Sequence, residues 1–261
     1  MPEILEVEMY RRSAEPVVDR RVRSIVADDP IACPDGETFA SLVGSTVTRV
    51  SRIGKVMTLW FQSADSESED AALDLHFGMS GRLVVDGRSA IDSLVYGASD
   101  NDRWSRFSLG FESGFLALSD PRRFGRVTWH RDDRYLGPDA FEVSASHLID
   151  ICATRSAPVK AVLLDQGAVA GLGNMLVDEI LWRAGVAPNR RSRDLSRREV
   201  RTVHRMITVV LPELLDKGGS HAGRLAAELR VPGAACPRCG TVLVRSTCGG
   251  RTTFHCPAHQ A

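Results

Sequence analysis

Cys236-Pro-Arg-Cys239 and Cys256-Pro-Ala-His259 stand 16 residues apart near the end of the chain. Two short pairs of soft donors across a hairpin-length spacer are the pattern of a closed, four-coordinate structural zinc site. The spacer suits a β-hairpin: Val242 and Val244 alternate, Gly249-Gly250 supply the turn, and Thr252–Phe254 return. Such a hairpin has almost no core of its own, so the metal would supply its folding energy. Cys248 is the other candidate for the fourth position. It lies beside the turn glycines, at the far end from Cys236 and Cys239, so His259 is the expected ligand. Cys33 and Cys152 read as small buried hydrophobes. Arg251 follows the turn glycines, where a guanidinium would project from the hairpin tip, either into water or towards a phosphate.

The rest of the 261 residues must fold by apolar burial. Apolar residues make up 43% and charged residues 25%, which is ordinary for a globular chain and excludes a mostly disordered one. No apolar run reaches membrane-spanning length, and the start, MPEILEVEMYRR, has no signal-peptide core. A cytoplasmic protein is expected. Net charge is zero, which taken alone argues against a polyanionic partner. The average hides a split: residues 1–133 carry 16 Lys+Arg against 22 Asp+Glu, and residues 134–261 carry 17 against 11. Only Lys55, Lys160 and Lys217 are lysines. Lys55, expected on a strand, stands out among the arginines.

The hydrophobic pattern divides the chain. Residues 3 to about 20 read as a helix that Pro16 bends or ends. Short strand-like runs follow at 56–61, 72–77, 82–85, 106–111, 114–119 and 125–129, separated by Gly and Asp clusters, with an acidic loop at 63–70. They predict an antiparallel sandwich or barrel. From about residue 144 the pattern turns helical. Pro158 opens one run, a Gly171–Asn174 turn precedes a helix over 175–184 stopped by Gly185, and Ser196-Arg-Arg-Glu199 forms a capping-box start. Val200, Val203, Ile207, Val210, Leu211 and Leu214 then recur at helical spacing. The expected order is an α+β chain: an N-terminal helix and β-sandwich domain (1–133), a linker (134–143), a helical domain (144–230) and a zinc-finger hairpin (231–261).

Two further places carry chemistry. With Met1 removed, Pro2 would present a secondary α-amine of intrinsically low basicity, lowered again by a helix N-terminus. A neutral amine of that kind is a nucleophile able to form a Schiff base. Glu3 and Glu6 share the adjoining helix face and could move protons. A plain Pro helix start with acidic first-turn residues reads equally well from these residues alone. The second place is Gly171-Leu-Gly-Asn174, either a tight helix–helix turn or a phosphate site built on backbone N–H groups. Arg190, Arg191, Arg193, Arg197, Arg198 and Arg201 follow it, as a solvated face or as a contact to a nucleic-acid backbone.

Together these motifs resemble the formamidopyrimidine-DNA glycosylase / endonuclease VIII (Fpg/Nei) family over essentially the full length. The matching stretches are MPE-x-x-EVE, GK at 54–55, H-x-GMSGRL at 76–83, DPRRFG at 120–125, DQ-x-x-VAGLGN at 165–174, DE at 178–179, RAG at 183–185 and the terminal hairpin with GGRTTF. The resemblance implies a helix-two-turn-helix domain in the helical part and a bifunctional DNA glycosylase/AP lyase of base excision repair that removes oxidised or ring-opened bases through an N-terminal proline Schiff base. It would act on damaged double-stranded DNA, nucleoid-associated when bound, with one structural Zn2+; the sequence shows no oligomer seam, so a monomer is expected. It implies Pro2 as nucleophile, Glu3 as principal acid/base supported by Glu6, Lys55 on a phosphate near the lesion, and strand cutting by β,δ-elimination. It assigns Asn174 and Arg251 to the flanking phosphates and Met79, Arg122 and Phe124 to the space left by the flipped nucleotide. Three departures bear on substrate. Leu5 stands where the formamidopyrimidine branch usually has proline, His259 replaces a cysteine, and 220–229 is short for the loop covering an oxidised purine. Abasic, bulky or oxidised-pyrimidine lesions are thus alternatives, as is a non-catalytic damaged-DNA-binding protein.

Overall fold

The computed structural model describes residues 2–66, 68–69, 71–91, 102–130 and 135–260. They divide into two compact units. The first holds Pro2 and Glu6–Asp132, the second Glu3–Leu5 and Asp133–Ala261.

Helix α1 (Ile4–Ala14), which belongs to the first unit from Glu6 onward, stops six residues short of the predicted end. Glu15–Val17 continue as a single 3-10 turn, because Pro16 bars its predecessor from helical geometry and removes a donor. Among the described residues eight strands follow: β1 (Ser24–Val26), β2 (Thr46–Ile53), β3 (Val56–Gln62), β4 (Ala71–His76), β5 (Arg82–Val85), β6 (Ser105–Gly110), β7 (Phe115–Ser119) and β8 (Arg126–Trp129). They form two antiparallel four-stranded sheets, ordered β1-β6-β7-β5 and β2-β3-β4-β8. The six predicted runs are strands, and β1 and β2 join them. Alternate inward residues, such as Met57, Leu59 and Phe61 on β3 and Leu73 and Leu75 on β4, build one core with Val7, Tyr10 and Ala14 of α1. The loop over 63–70 is turn and bend where described.

The second unit is helical: α2 (Ala145–Thr154), α3 (Val159–Leu164), α4 (Asn174–Ala184) and α5 (Arg197–Asp216). Ser144 caps α2, and Gly185 ends α4 at φ 72°. The Ser196–Glu199 capping box is complete. All six periodic apolar residues of α5 are buried, packed with Ile4, Leu5, Leu176, Val177 and Ile180. The described part of the 134–143 segment is built into this unit, with Ala140 and Val143 buried and Asp139 bridged to Ala170. The hairpin β9 (Val244–Cys248) and β10 (Arg251–His255) turns on Gly249 (φ 58°) and Gly250 (φ 72°). Among the described residues no helix is long and apolar enough to cross a membrane.

Candidate active site and metal centre

Glu3 is 1% exposed, and its carboxylate accepts hydrogen bonds from Met175 N (2.9 Å) and Leu176 N (3.2 Å), the first turn of α4. The helix N-terminus is the natural partner of an anion, and here a side chain occupies it. Two of the amides that a phosphate could have used at this turn are therefore engaged by Glu3. The glycines explain themselves in the same way. A Cβ on Gly173 would lie 2.2 Å from Glu3 Cδ, and one on Gly171 (φ 109°) 2.5 Å from Ile4 Cδ1. The Gly-Leu-Gly turn is shaped to receive the start of the chain, and Ile4 N donates to Gly171 O (3.1 Å).

Asn174 opens α4, and its Nδ2 donates to the carbonyl of Thr252 (3.0 Å), next to Arg251. Arg251 is exposed, with no side-chain hydrogen bond or ion pair among the described residues. The structure thus gathers Glu3, Asn174 and Arg251 at one end of the second unit. Lys160, to which the sequence assigned no role, fastens the strand of Arg251 beside Asn174. Lys160 is fully buried, and its Nζ donates to Asp178 Oδ1 (2.7 Å), Thr253 Oγ1 (2.7 Å) and Thr252 O (3.3 Å). Burial lowers the pKa of this ammonium, and the Asp178 carboxylate opposes that. Asp178 also accepts from Arg230 (2.6 Å) and from Phe254 N (3.3 Å). One buried ion pair therefore clamps β10 to α3 and α4. The signal was present as a lone lysine inside an apolar helical run followed by the DE pair at 178–179.

In the first unit, Lys55 sits not on a strand but in the two-residue turn, Gly54-Lys55, between β2 and β3. Arg52 ties that turn to α1, donating to Gly54 O (3.0 Å) and Glu8 Oε2 (3.2 Å). Burial alone would raise the Glu8 pKa, but the guanidinium groups of Arg11, Arg12 and Arg52 hold it at about 2. Glu6 is buried on the same helix. His76 lies beside Lys55 and Arg126. Loss of hydration first, and then those two charges, hold its imidazole below the usual range. Its Nδ1 accepts from Gly78 N (3.2 Å).

Met79, Arg122 and Phe124 are exposed, and the turn before Met79 packs against Phe124. The Arg122 guanidinium lies 4.7 Å from the centre of the Phe124 ring, and a Cβ on Gly78 would fall 2.4 Å from the Phe124 carbonyl carbon. Met79 is 40% exposed and Phe124 45%, so neither side chain is spent on the core. Asp120, fully buried, organises them. It accepts from Ser80 Oγ (2.6 Å), Arg122 N (3.1 Å), Phe124 N (2.8 Å) and Gly125 N (2.6 Å). Arg123, at φ 57°, turns the loop outward and pairs with Asp29 (2.9 Å).

Cys236, Cys239, Cys256 and His259 bring their donor atoms within 4.8 Å of one another. Individual separations are 3.5 Å (Cys239–Cys256 Sγ), 3.8 Å (Cys236 Sγ–His259 Nδ1) and 3.9 Å (Cys239 Sγ–His259 Nδ1). A tetrahedral ion with bonds of about 2.0–2.3 Å sets its ligand atoms roughly 3.5–3.8 Å apart, so the donors fit. Trp182 Nε1 donates to Cys236 Sγ (3.4 Å), orienting a ligand from outside the coordination sphere. Cys248 is elsewhere, donating to Pro188 O (3.3 Å). Burial raises the Cys33 and Cys152 thiols to about 12 and about 11, as expected of inert packing residues.

A helix and two antiparallel sheets, then a helical unit presenting a Gly-rich turn, then a metal-ready hairpin, define a protein of the DNA-glycosylase class. Residues 1–127 match the formamidopyrimidine-DNA glycosylase N-terminal domain and residues 136–224 the formamidopyrimidine-DNA glycosylase H2TH domain. The formamidopyrimidine-DNA glycosylase of Acidovorax ebreus is 35% identical over 98% of each chain, and that of Desulfitobacterium hafniense 32% over 100% of each. Among solved structures, Lactococcus lactis Fpg in complex with DNA containing N7-benzyl-Fapy-dG superposes with a TM-score of 0.83 at 26% identity, covering 99% of each chain. The same enzyme with abasic-site DNA gives 0.82 at 27%, again over 99% of each. The chain belongs to the formamidopyrimidine-DNA glycosylase family.

Proposed function

We propose that this DNA glycosylase of base excision repair is bifunctional, with Pro2 as nucleophile and an AP lyase step after base removal. The observation that carries the reading is the Glu3 carboxylate. It is buried and fixed by two amides of α4, one residue after Pro2 and beside Asn174. A carboxylate rigid to this degree has no capping need that a serine or aspartate could not meet. It suits a group that must hand a proton to a sugar oxygen at a defined place. Pro2 nitrogen attacks C1′, the C1′–N bond breaks, and the base leaves with its electron pair. Opening of the sugar gives an iminium at Pro2, which acidifies the neighbouring C2′–H for elimination. β,δ-Elimination then cuts on both sides of the lost nucleoside. Glu6 supports proton movement.

Lys55, Asn174 and Arg251 bind backbone phosphates on either side of a flipped nucleotide, and Met79, Phe124 and Arg122 fill the stack it leaves. Cys236, Cys239, Cys256 and His259 would hold one Zn2+, which would stabilise the hairpin and take no part in the chemistry, since four protein ligands leave no open position. The cytoplasm is the compartment where these thiols would stay reduced.

The substrate reading follows from the 220–229 segment. Ser220–Ala222 and Ala227–Leu229 are short 3-10 turns. Between them Leu225 is buried, with its N–H on Glu179 (2.8 Å). A Cβ on Gly223 would lie 2.9 Å from Glu179 Oε2. A segment fastened down on α4 makes a poor cover for an oxidised purine. Ring-opened purines, oxidised pyrimidines and abasic sites are the preferred lesions.

Borohydride trapping on abasic duplex DNA tests the nucleophile. The wild type should give a covalent adduct at Pro2. Absence of an adduct, or equal trapping by Pro2→Gly with a processed N-terminus, refutes the assignment and leaves a damaged-DNA-binding protein. A panel of defined lesions in duplex DNA tests the substrate order.

A further inference from the structure

The basic run after the Gly-rich turn is not one surface. Arg190 is drawn back onto the chain by Glu199 and Asp194 O. Arg198, Arg201 and Arg205 take another direction. They recur at three- and four-residue spacing on α5, and all three are exposed. On a helix of 100° per residue they point away from the stripe of Val200, Val203, Ile207, Val210, Leu211 and Leu214, which packs on α2 and α4. α4, which carries Asn174 at its first residue, packs against that apolar stripe, on the side of α5 opposite the arginines.

Three features set this face apart from a solvated helix surface. First, none of Arg197, Arg198, Arg201 and Arg205 has a side-chain hydrogen bond or ion pair among the described residues. Elsewhere the chain neutralises its helix arginines, as with Arg11 and Arg12 on Glu8, and Arg183 on Glu179 and Glu213. Second, the charges oppose the helix dipole. Four arginines crowd the N-terminal half, where the only acid is the capping Glu199, while Glu213 and Asp216 sit at the negative end. Stability alone would select the reverse order. Third, Arg198, Arg201, Thr202 and Arg205 line an open, shallow groove. It offers guanidinium forks along about 10 Å of helix and no apolar pocket. That chemistry matches a row of phosphates rather than a peptide, which would need an apolar anchor.

We propose that Arg198, Arg201 and Arg205 form a second DNA-backbone binding face, which takes a duplex segment other than the one gripped through Asn174 and Arg251. The inference rests on the DNA-repair function proposed above. Its consequence is that one molecule can hold two segments and pass between them without dissolving into bulk solvent.

The test uses the zinc-loaded full chain and an R198Q/R201Q/R205Q variant. Dissociation from a labelled undamaged duplex is followed as unlabelled duplex is raised. Wild type should be accelerated several-fold by competitor and the variant not at all, with the slope of log K against log salt shallower by about 2–3. Single-turnover cleavage of a short abasic duplex at saturating enzyme should change less than about two-fold. The corresponding triple lysine variant should keep the acceleration, and melting should show the glutamine variant at least as stable as wild type. Loss of single-turnover cleavage in a folded variant would place these arginines in the main site and overturn the proposal. Unchanged acceleration and salt slope in the variant, or no acceleration in wild type, would show the face to be idle. A chain that fails to cleave abasic DNA but shows the competitor effect would refute the lyase reading and leave this one standing.

Discussion

Replacing Lys160 by Met removes one charge from the buried clamp while nearly conserving volume. The ammonium is fully buried with three acceptors, so its loss costs the Asp178 interaction and leaves Thr253 Oγ1 and Thr252 O short of a donor. Breaking a buried pair by deleting one partner costs about 3–5 kcal/mol. Asp178 keeps Arg230 and Phe254 N, which places the expected cost near the lower end, about 3 kcal/mol. For a unit of this size that is a fall of roughly 10 °C in melting temperature. It should appear first where β10 meets α4, as faster release of zinc to a chromophoric chelator in urea. Weaker binding of an uncleavable abasic-site duplex should accompany it, because Asn174 and Arg251 would no longer be held in register. Asp178→Asn should cost a similar amount. The double variant should then cost at least about 2 kcal/mol less than the sum, the signature of direct coupling. If K160M costs under about 1 kcal/mol, or the two changes simply add, the ion pair is not what fastens the hairpin.

Three other outcomes follow from particular contacts. Glu3→Gln replaces one acceptor facing the amides of α4 with a donor, so borohydride trapping and base release should fall at least about 100-fold while the fold, read by circular dichroism, persists. Retention of activity would remove Glu3 from the chemistry. Asp120→Asn should weaken the hydrogen bonds that join Ser80 to Arg122, Phe124 and Gly125, raising KM or Kd for lesion duplex about ten-fold or more with kcat for abasic cleavage little changed. An equal loss in kcat would point instead to a general structural failure. Glu8, held at about 2 against 4.5 when unfolded, contributes stability that is complete above about pH 4.5 and lost as the pH falls towards 2. Wild type should exceed Glu8→Gln by on the order of 2 kcal/mol at pH 6, with the difference vanishing near pH 2 in urea titrations.

Much of this was legible in the sequence. Short apolar runs marked six of the eight strands described in the first unit, and the α5 stripe was readable because a helix that buries one face must repeat its apolar residues every three to four positions. Cys236, Cys239, Cys256 and His259 were readable because metal geometry constrains spacing directly. β1 escaped because three residues leave no period to detect, and α1 was read too long because a proline permits either a bend or a stop.

What the sequence by itself determined is therefore local: which segments coil or extend, where chain direction reverses, and which side chains are chemically able to act. Zero net charge, read alone, argued against a polyanion. Tertiary structure resolved it into groups that are spent and groups that are available. Arg190 is occupied by Glu199, whereas Arg198, Arg201 and Arg205 are exposed with no side-chain partner among the described residues. The same holds at the site. Glu3 meets the amides of residues 175 and 176, Lys160 reaches residues 178, 252 and 253, and Asp120 reaches back to Ser80. Those partners are separated by up to about 170 positions of chain, and no periodicity encodes such a distance. Only the packing of cores, which brings remote backbone donors to buried carboxylates that must not remain unsatisfied, decides which residues meet.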